Sequence, residues 1–192
     1  MKENFVKVLA KREAERIIDS HTARAAVLVP IFCKNGELHV LFTKRTETVE
    51  HHKGQISFPG GKKDDTDESL LATALRESLE EIGLESKSVE ILGELDEERT
   101  IVSDHIISPF VGVIPYPYPS SLSTWEVAEL VEVPLKALLN RDNLKEETIT
   151  EKGISTLSYS YYIEDRIIWG ATARIMKRFL ERVYDNGDFP SC

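Results

Sequence analysis

Positive charge is scarce in this sequence: 24 Lys and Arg stand against 33 Asp and Glu, a formal net charge of -9. A surface with that balance is poor in the cations that displace counterions from a phosphate polymer, which argues against DNA or RNA as a partner. Long apolar runs are also missing. No segment approaches the roughly eighteen residues of a membrane span, and the N-terminal stretch "MKENFVKVLAKREAERIID" has no continuous apolar core of the signal-peptide kind. The expectation is a cytoplasmic protein with no membrane partner. Cysteine is nearly absent: Cys33 and Cys192 form no CxxC pair and no zinc spacing, so both are expected as free thiols in a reducing compartment. What remains is ordinary for a folded domain, with 41% hydrophobic and 30% charged residues over 192 positions. That length supports one substantial core, and no repeat or composition break divides it. Residues 1–192 are expected as a single domain, with 1–20 as an N-terminal helix packed on it.

Periodicity places the elements. Residues 3–19 carry an amphipathic helical pattern in which Phe5, Val8, Leu9 and Ile17 share a side. Two apolar runs around Asn35-Gly36 predict a hairpin with strands at about 24–33 and 37–44. After a polar loop, Pro59-Gly60-Gly61 interrupts regular structure, and "KKDDTD" supplies turn and N-cap residues. A helix is predicted from about 68 to 82, stopped by Gly83. Its stripe Leu71, Leu75, Ser78 and Ile82 should face the core, with Glu77, Glu80 and Glu81 within about a 100° arc on the other side. Strands follow at "VEILGELDEERT" and "HIISPFVGVIPY", then a strand into a short helix near Pro134, strands in "ISTLSYSYYIEDRIIW", and a closing helix over 170–184. Strands and helices around one core give an α/β class with sandwich layers.

The crowded glutamates ask for a reason, because Glu77 and Glu81 four apart on a helix repel by a few tenths of a kcal/mol. A solvated acidic face is the plain explanation. A hard divalent cation is the chemical one: Mg2+ or Mn2+ prefers oxygen ligands, and adjacent glycines let backbone approach it or a phosphate. Arg76 adds a planar guanidinium able to hold one glutamate bidentately.

The same residues resemble the Nudix box, whose pattern is Gly, five residues, Glu, seven residues, Arg-Glu, an aliphatic, any residue, Glu-Glu, any residue, Gly, an aliphatic. Glu68, Arg76-Glu77, Leu79, Glu80-Glu81, Gly83 and Leu84 match in order. Gly61 lies one residue farther from Glu68 than the pattern asks, so Asp67 or Glu68 is the early acid, and Ser78 replaces an aliphatic residue. The resemblance implies the Nudix fold, an α/β/α sandwich with mixed sheets, and hydrolysis of a small nucleoside diphosphate linked to another moiety. It implies that Glu77, Glu80 and Glu81 hold divalent ions, that Arg76 orients a glutamate and that Gly61 offers its carbonyl. The metal would neutralise the diphosphate and activate the attacking water. Glu77, Glu126 and Glu129 all remain candidates for the general base.

Upstream, "LFTKRTETVEHHKGQISFPGG" resembles the additional signature of the coenzyme A pyrophosphatase subgroup. Leu41, Thr43, Arg45, Gly54, Phe58, Pro59, Gly60 and Gly61 keep identity and spacing, whereas Glu50 stands where the signature has Arg. The resemblance implies cleavage of coenzyme A or an acyl-CoA, with Lys44, Arg45, His52, Gly60 and Gly61 at the substrate. The charge reversal at Glu50 keeps ADP-ribose, dinucleotides and nucleoside triphosphates open as substrates. A nucleotide-sensing domain without catalysis is the remaining alternative. Trp169 is expected in the core, with the wall of the substrate cleft as its alternative place, and Tyr116 and Tyr118 are candidates for stacking on adenine.

Overall fold

The computed structural model of this chain describes residues 2–10, 12–47, 54–100, 104–118, 121–151, 154–184 and 192. Asn35 (φ 53) and Gly36 (φ 80) both take the left-handed conformation that a two-residue turn between twisted strands requires. They join β1 (Ala23–Lys34) to β2 (Glu37–Arg45), with Ile31 opposite Val40 and Lys34 opposite Glu37. β7 (His105–Val113) runs parallel to β1, so the sheet is mixed. β3 (Ile56–Ser57) and β8 (Val127–Pro134) pair with β2, β4 (Gly60–Lys62) with β1, and β5 (Glu90–Glu94) and β6 (Glu98–Arg99) with β7.

Strand alternation then divides the core. Ala26, Leu28 and Phe32 of β1 turn to one face, where Ala74, Ile82 and neighbouring Leu84 pack on them from α2 (Leu70–Ile82) and its C-terminal end. Val29 and Ile31 turn to the other, packed with Phe5 of α1 (Lys2–Leu9), with Leu135 and Leu138 of α3 (Leu135–Leu139) and with Met176 and Phe179 of α4 (Gly170–Val183). Helices on both faces of a mixed sheet are the expected α/β sandwich.

Three expectations are corrected. The N-terminal helix ends at Leu9, and residues 13–19 are not helical. Carboxylates beyond β5 capture this strap instead: the Glu15 amide donates to Asp96 Oδ1 at 2.9 Å and the Ile17 amide to Glu97 Oε2 at 2.7 Å. Arg12 pairs with Asp96, and Arg16 with Glu94 and Glu97. These amides and side chains find stronger, charge-assisted partners than helical carbonyls. Second, Cys33 and Cys192 are not free: they form a disulfide, their Cα atoms 5.7 Å apart across 159 residues of sequence. Third, Trp169 is not in the core. It ends β11 (Arg166–Trp169), which pairs with β10 (Ile154–Ile163), itself paired with β9 (Leu144–Glu151). Ile168 is the buried member of β11, so alternation turns Trp169 outward, opposite Ser160 and 49% exposed.

Candidate active site

The local sequence sets the ends of α2. Ser69 Oγ accepts from the Ala72 amide at 3.1 Å, and Gly83 closes the helix with φ 71, its amide donating to the Leu79 carbonyl. The buried face is Thr73, Ala74, Ser78, Glu81 and Ile82, rotated from the expected leucine stripe; Leu71 and Leu75 are half-buried. Ser78 faces the core as expected and satisfies its hydroxyl on the Ala74 carbonyl at 2.7 Å. The rotation separates the three glutamates, which do not share one open face. Glu81 is 3% exposed, Glu77 is half-buried, and Glu80 lies in solvent.

A buried carboxylate needs partners. Glu81 has two: the Gly60 amide donates to Oε2 at 3.2 Å, and Arg45 Nη1 stands 3.6 Å from Oε1. Gly60 and Gly61 are required at this approach. They pair with Val27 and Ala26 in β4. A Cβ on Gly60 would lie 2.3 Å from the Ala26 carbonyl oxygen, and one on Gly61 would lie 2.5 Å from the Glu77 carboxyl carbon. The two glycines therefore bring strand backbone directly beneath Glu77 and Glu81.

Arg76 is a hub, with a different bidentate partner from the glutamate expected. Its Nε and Nη2 donate to the two oxygens of Asp67, each at 3.0 Å. Its Nη1 lies 2.9 Å from Glu77 Oε1 and 3.1 Å from Glu80 Oε2. Asp67 also accepts from Thr73 Oγ1 at 2.9 Å and from the Asp64 amide at 2.9 Å. Arg76 beside it, with these donors, holds Asp67 well below the usual carboxylate range. Of the two early acids, Asp67 is the one built into the site, and Glu68 is exposed.

The remaining acids go the other way. Burial pushes the Glu81 carboxyl up to about 8, against the Gly60 amide and Arg45, with Glu77 and Glu126 adding to the rise. Burial also raises Glu77, opposed by Arg76 and reinforced by Glu80 and Glu126. Glu126 thus lies within electrostatic reach of both. Glu129 is engaged elsewhere, 2.6 Å from Arg166 Nη2, and Lys44 stands across the ladder from it. His52 and Glu50 lie outside the described residues. Tyr116 stacks on Phe32 with centroids 5.3 Å apart, and the Tyr118 hydroxyl donates to Glu132 Oε1 at 2.6 Å, so both tyrosines have partners within the protein.

Among the described residues, no three His, Cys, Asp or Glu side chains are already gathered as a metal shell. The donor set nonetheless fits a hard divalent cation. Two desolvated carboxylates of raised pKa flank a backbone cradle kept open by glycine, and Glu80 can join them by leaving Arg76. Arg45 Nε is buried and has no hydrogen-bond partner among the described residues. The structure brings together the predicted Glu77, Glu81, Arg76, Gly60, Gly61 and Arg45. Thr73 as an Asp67 partner and the contact between Arg45 and Glu81 carry no signal of their own in the sequence; the run "KKDDTD" offers Asp67 as an early acid but not the partners that hold it.

Residues 22–153 match the NUDIX domain family. Over 160 residues the chain is 38% identical to "Uncharacterized Nudix hydrolase NudL" of Yersinia pestis (strain Pestoides F), spanning 83% of this chain and 79% of that protein. Among solved structures, a MutT/nudix family protein from Enterococcus faecalis superposes with a TM-score of 0.58 at 14% identity, covering 95% of this chain and 69% of that one. The NUDIX domain of Shewanella oneidensis NrtR, solved with ADP ribose, superposes with a TM-score of 0.50 at 21% identity, covering 63% of this chain and 78% of that one.

Proposed function

The chain belongs to the Nudix family, and from that membership we propose that it hydrolyses the diphosphate of coenzyme A or its acyl thioesters to 3′,5′-ADP and 4′-phosphopantetheine or its acyl form. At the coarser level it is a Nudix hydrolase of nucleoside diphosphate derivatives. The observation that supports the coenzyme A assignment is the position of Arg45. This signature arginine stands beside Glu81 with its Nε buried and unpartnered among the described residues, and a guanidinium there can grip a phosphate through two N–H groups.

Nudix hydrolases generally depend on divalent ions such as Mg2+ or Mn2+, which supply charge neutralisation and an acidified water. Glu77 and Glu81, with Glu80 and the Gly61 carbonyl, would hold the ion in this chain. Gly60 and Gly61 let the diphosphate approach the strand. Asp67 clamps Arg76, which in turn fixes the Glu77 rotamer. Glu126 lies within electrostatic reach of both Glu77 and Glu81, and it is the acid we assign to accept the proton of the attacking water. ADP-ribose or a dinucleotide is the second reading, favoured by Glu50 in place of the signature arginine.

A substrate panel with Mg2+ or Mn2+, resolved by product, tests the assignment. Release of 3′,5′-ADP from coenzyme A should be the fastest reaction, and a chelator should stop it. Turnover of ADP-ribose or dinucleotides with coenzyme A left intact would overturn the substrate. No turnover of any diphosphate would overturn the enzyme.

A further inference from the structure

The chain enters β8 through a turn anchored on both sides to the acid site. On one side the Ser123 amide donates to the Glu81 carbonyl oxygen at 3.0 Å, and the Glu126 and Val127 amides donate back to the Ser123 carbonyl at 2.9 and 2.8 Å. On the other, the Thr46 amide donates to the Glu126 carbonyl at 2.9 Å, and Thr46 Oγ1 donates to the Trp125 carbonyl at 2.7 Å. Thr46 directly follows Arg45, whose guanidinium faces Glu81. The backbone of Trp125 is therefore pinned between the last glutamate of α2 and the arginine that ends β2. Trp125 is 69% exposed, more than any other Trp, Tyr or Phe among the described residues.

Leaving most of an indole in water forgoes the gain from burying one of the largest apolar side chains. The bonds that pin this turn run through backbone atoms and the Thr46 hydroxyl, so they fix the position of Trp125 while leaving most of the residue exposed. An indole fixed at its backbone and open on its surface suits one class of ligand, a flat aromatic ring bound at the edge of a charged site. We infer that Trp125 is the platform on which the nucleobase of the substrate stacks, while the diphosphate lies over the glycine cradle. The inference rests on the reading of this site as one for a nucleoside diphosphate derivative, and it adds the residue that holds the base.

The chain has two tryptophans, and Trp169 lies on the exposed face of the other sheet, so Trp169→Phe leaves Trp125 as the sole tryptophan, read selectively by excitation at the red edge of the indole band. Titration of that variant with ADP should quench its emission saturably, and titration with inorganic pyrophosphate should not. With the best substrate of the panel, Trp125→Ala should raise KM about 5- to 100-fold, the range of a base–aromatic stack, with kcat within about twofold. Trp125→Phe should recover most of the loss. Quenching by pyrophosphate equal to that by ADP, or an unchanged KM in a folded Trp125→Ala protein, overturns the platform while leaving the hydrolase reading intact. If the wild type turns over no diphosphate, the hydrolase reading fails, and the ADP titration still decides whether Trp125 binds a base.

Discussion

Glu81 joins two roles at the residue scale: it lies on the buried face of α2, yet it carries a carboxylate that a metal site needs ionised. In the metal-free chain its pKa stands near 8 against an ordinary 4.5. A folded pKa raised above the unfolded one means that the unfolded state binds fewer protons between those values. The contribution to stability is therefore full below about pH 4.5 and is lost as the pH rises through about 8. Glu81→Gln removes this ionisation, so the metal-free variant should have a higher Tm than wild type at pH 8 and a flatter profile from pH 5 to 8. Its turnover should fall by at least about two orders of magnitude, since an anionic ligand is lost. Near-normal turnover in a folded Glu81→Gln protein would remove Glu81 from the site. Arg45 gives the companion prediction. Its loss should cost about 1.5 to 3 kcal/mol more in kcat/KM on coenzyme A than on 3′-dephospho-coenzyme A, if it grips the 3′-phosphate. The contact with Glu81 adds a loss common to both substrates, which the double difference cancels. Equal losses on the two would place Arg45 on the shared diphosphate or on Glu81 alone.

Elements were legible where a local rule acts without competition. Asn35-Gly36 can make one kind of tight turn, and Gly83 can end a helix in the left-handed region, so the hairpin and the end of α2 follow from those residues. The face of α2 was less legible, because leucine spacing does not reveal that an amide and an arginine from distant strands will satisfy Glu81. The N-terminal strap fails for the same reason, its helical periodicity overruled by Asp96 and Glu97 some eighty positions away. β9 was hidden by its composition, since "LKEETITE" has little apolar alternation and gains its order by pairing with β10. The two glycines of β4 turn this into a prediction. Gly61→Ala would drive a methyl into the Glu77 carboxylate, whereas Gly60→Ala would drive one into the backbone of β1 at φ 151. The first should lower kcat at least about tenfold, since the carboxylate must move while the backbone stays. The second should lower the Tm as well, because neither β1 nor the glycine's own conformation can give way. Circular dichroism melts beside kinetics separate the two; equal Tm losses in both variants would deny that Gly61 serves the site more than the fold.

On the scale of the whole molecule, the fold closes on itself through Cys33 and Cys192, which no spacing rule pairs because 159 positions separate them. What brings them together is the sandwich: Cys33 stands near the end of β1 in the middle of the sheet, and the chain returns to it after α4. The acid site, by contrast, is assembled from α2, β4 and the far end of β2, at the start of β8. The disulfide thus acts on the unfolded chain and not on the chemistry. A loop of this length removes about 4 to 5 kcal/mol of unfolded-chain entropy in the simplest treatment, with smaller values common in practice. For a domain of this size each kcal/mol is worth about 2 to 4 °C. Reduction with a phosphine, or Cys192→Ser, should therefore lower the Tm by about 5 to 15 °C, while kcat and KM measured well below the transition stay within about twofold of the oxidised protein. The two treatments should agree, and reduction should do nothing further to Cys192→Ser. A Tm unmoved by reduction would mean that the bond is not formed in solution. A fall in kcat at low temperature would mean instead that the C-terminal tether reaches the acid site through the sheet.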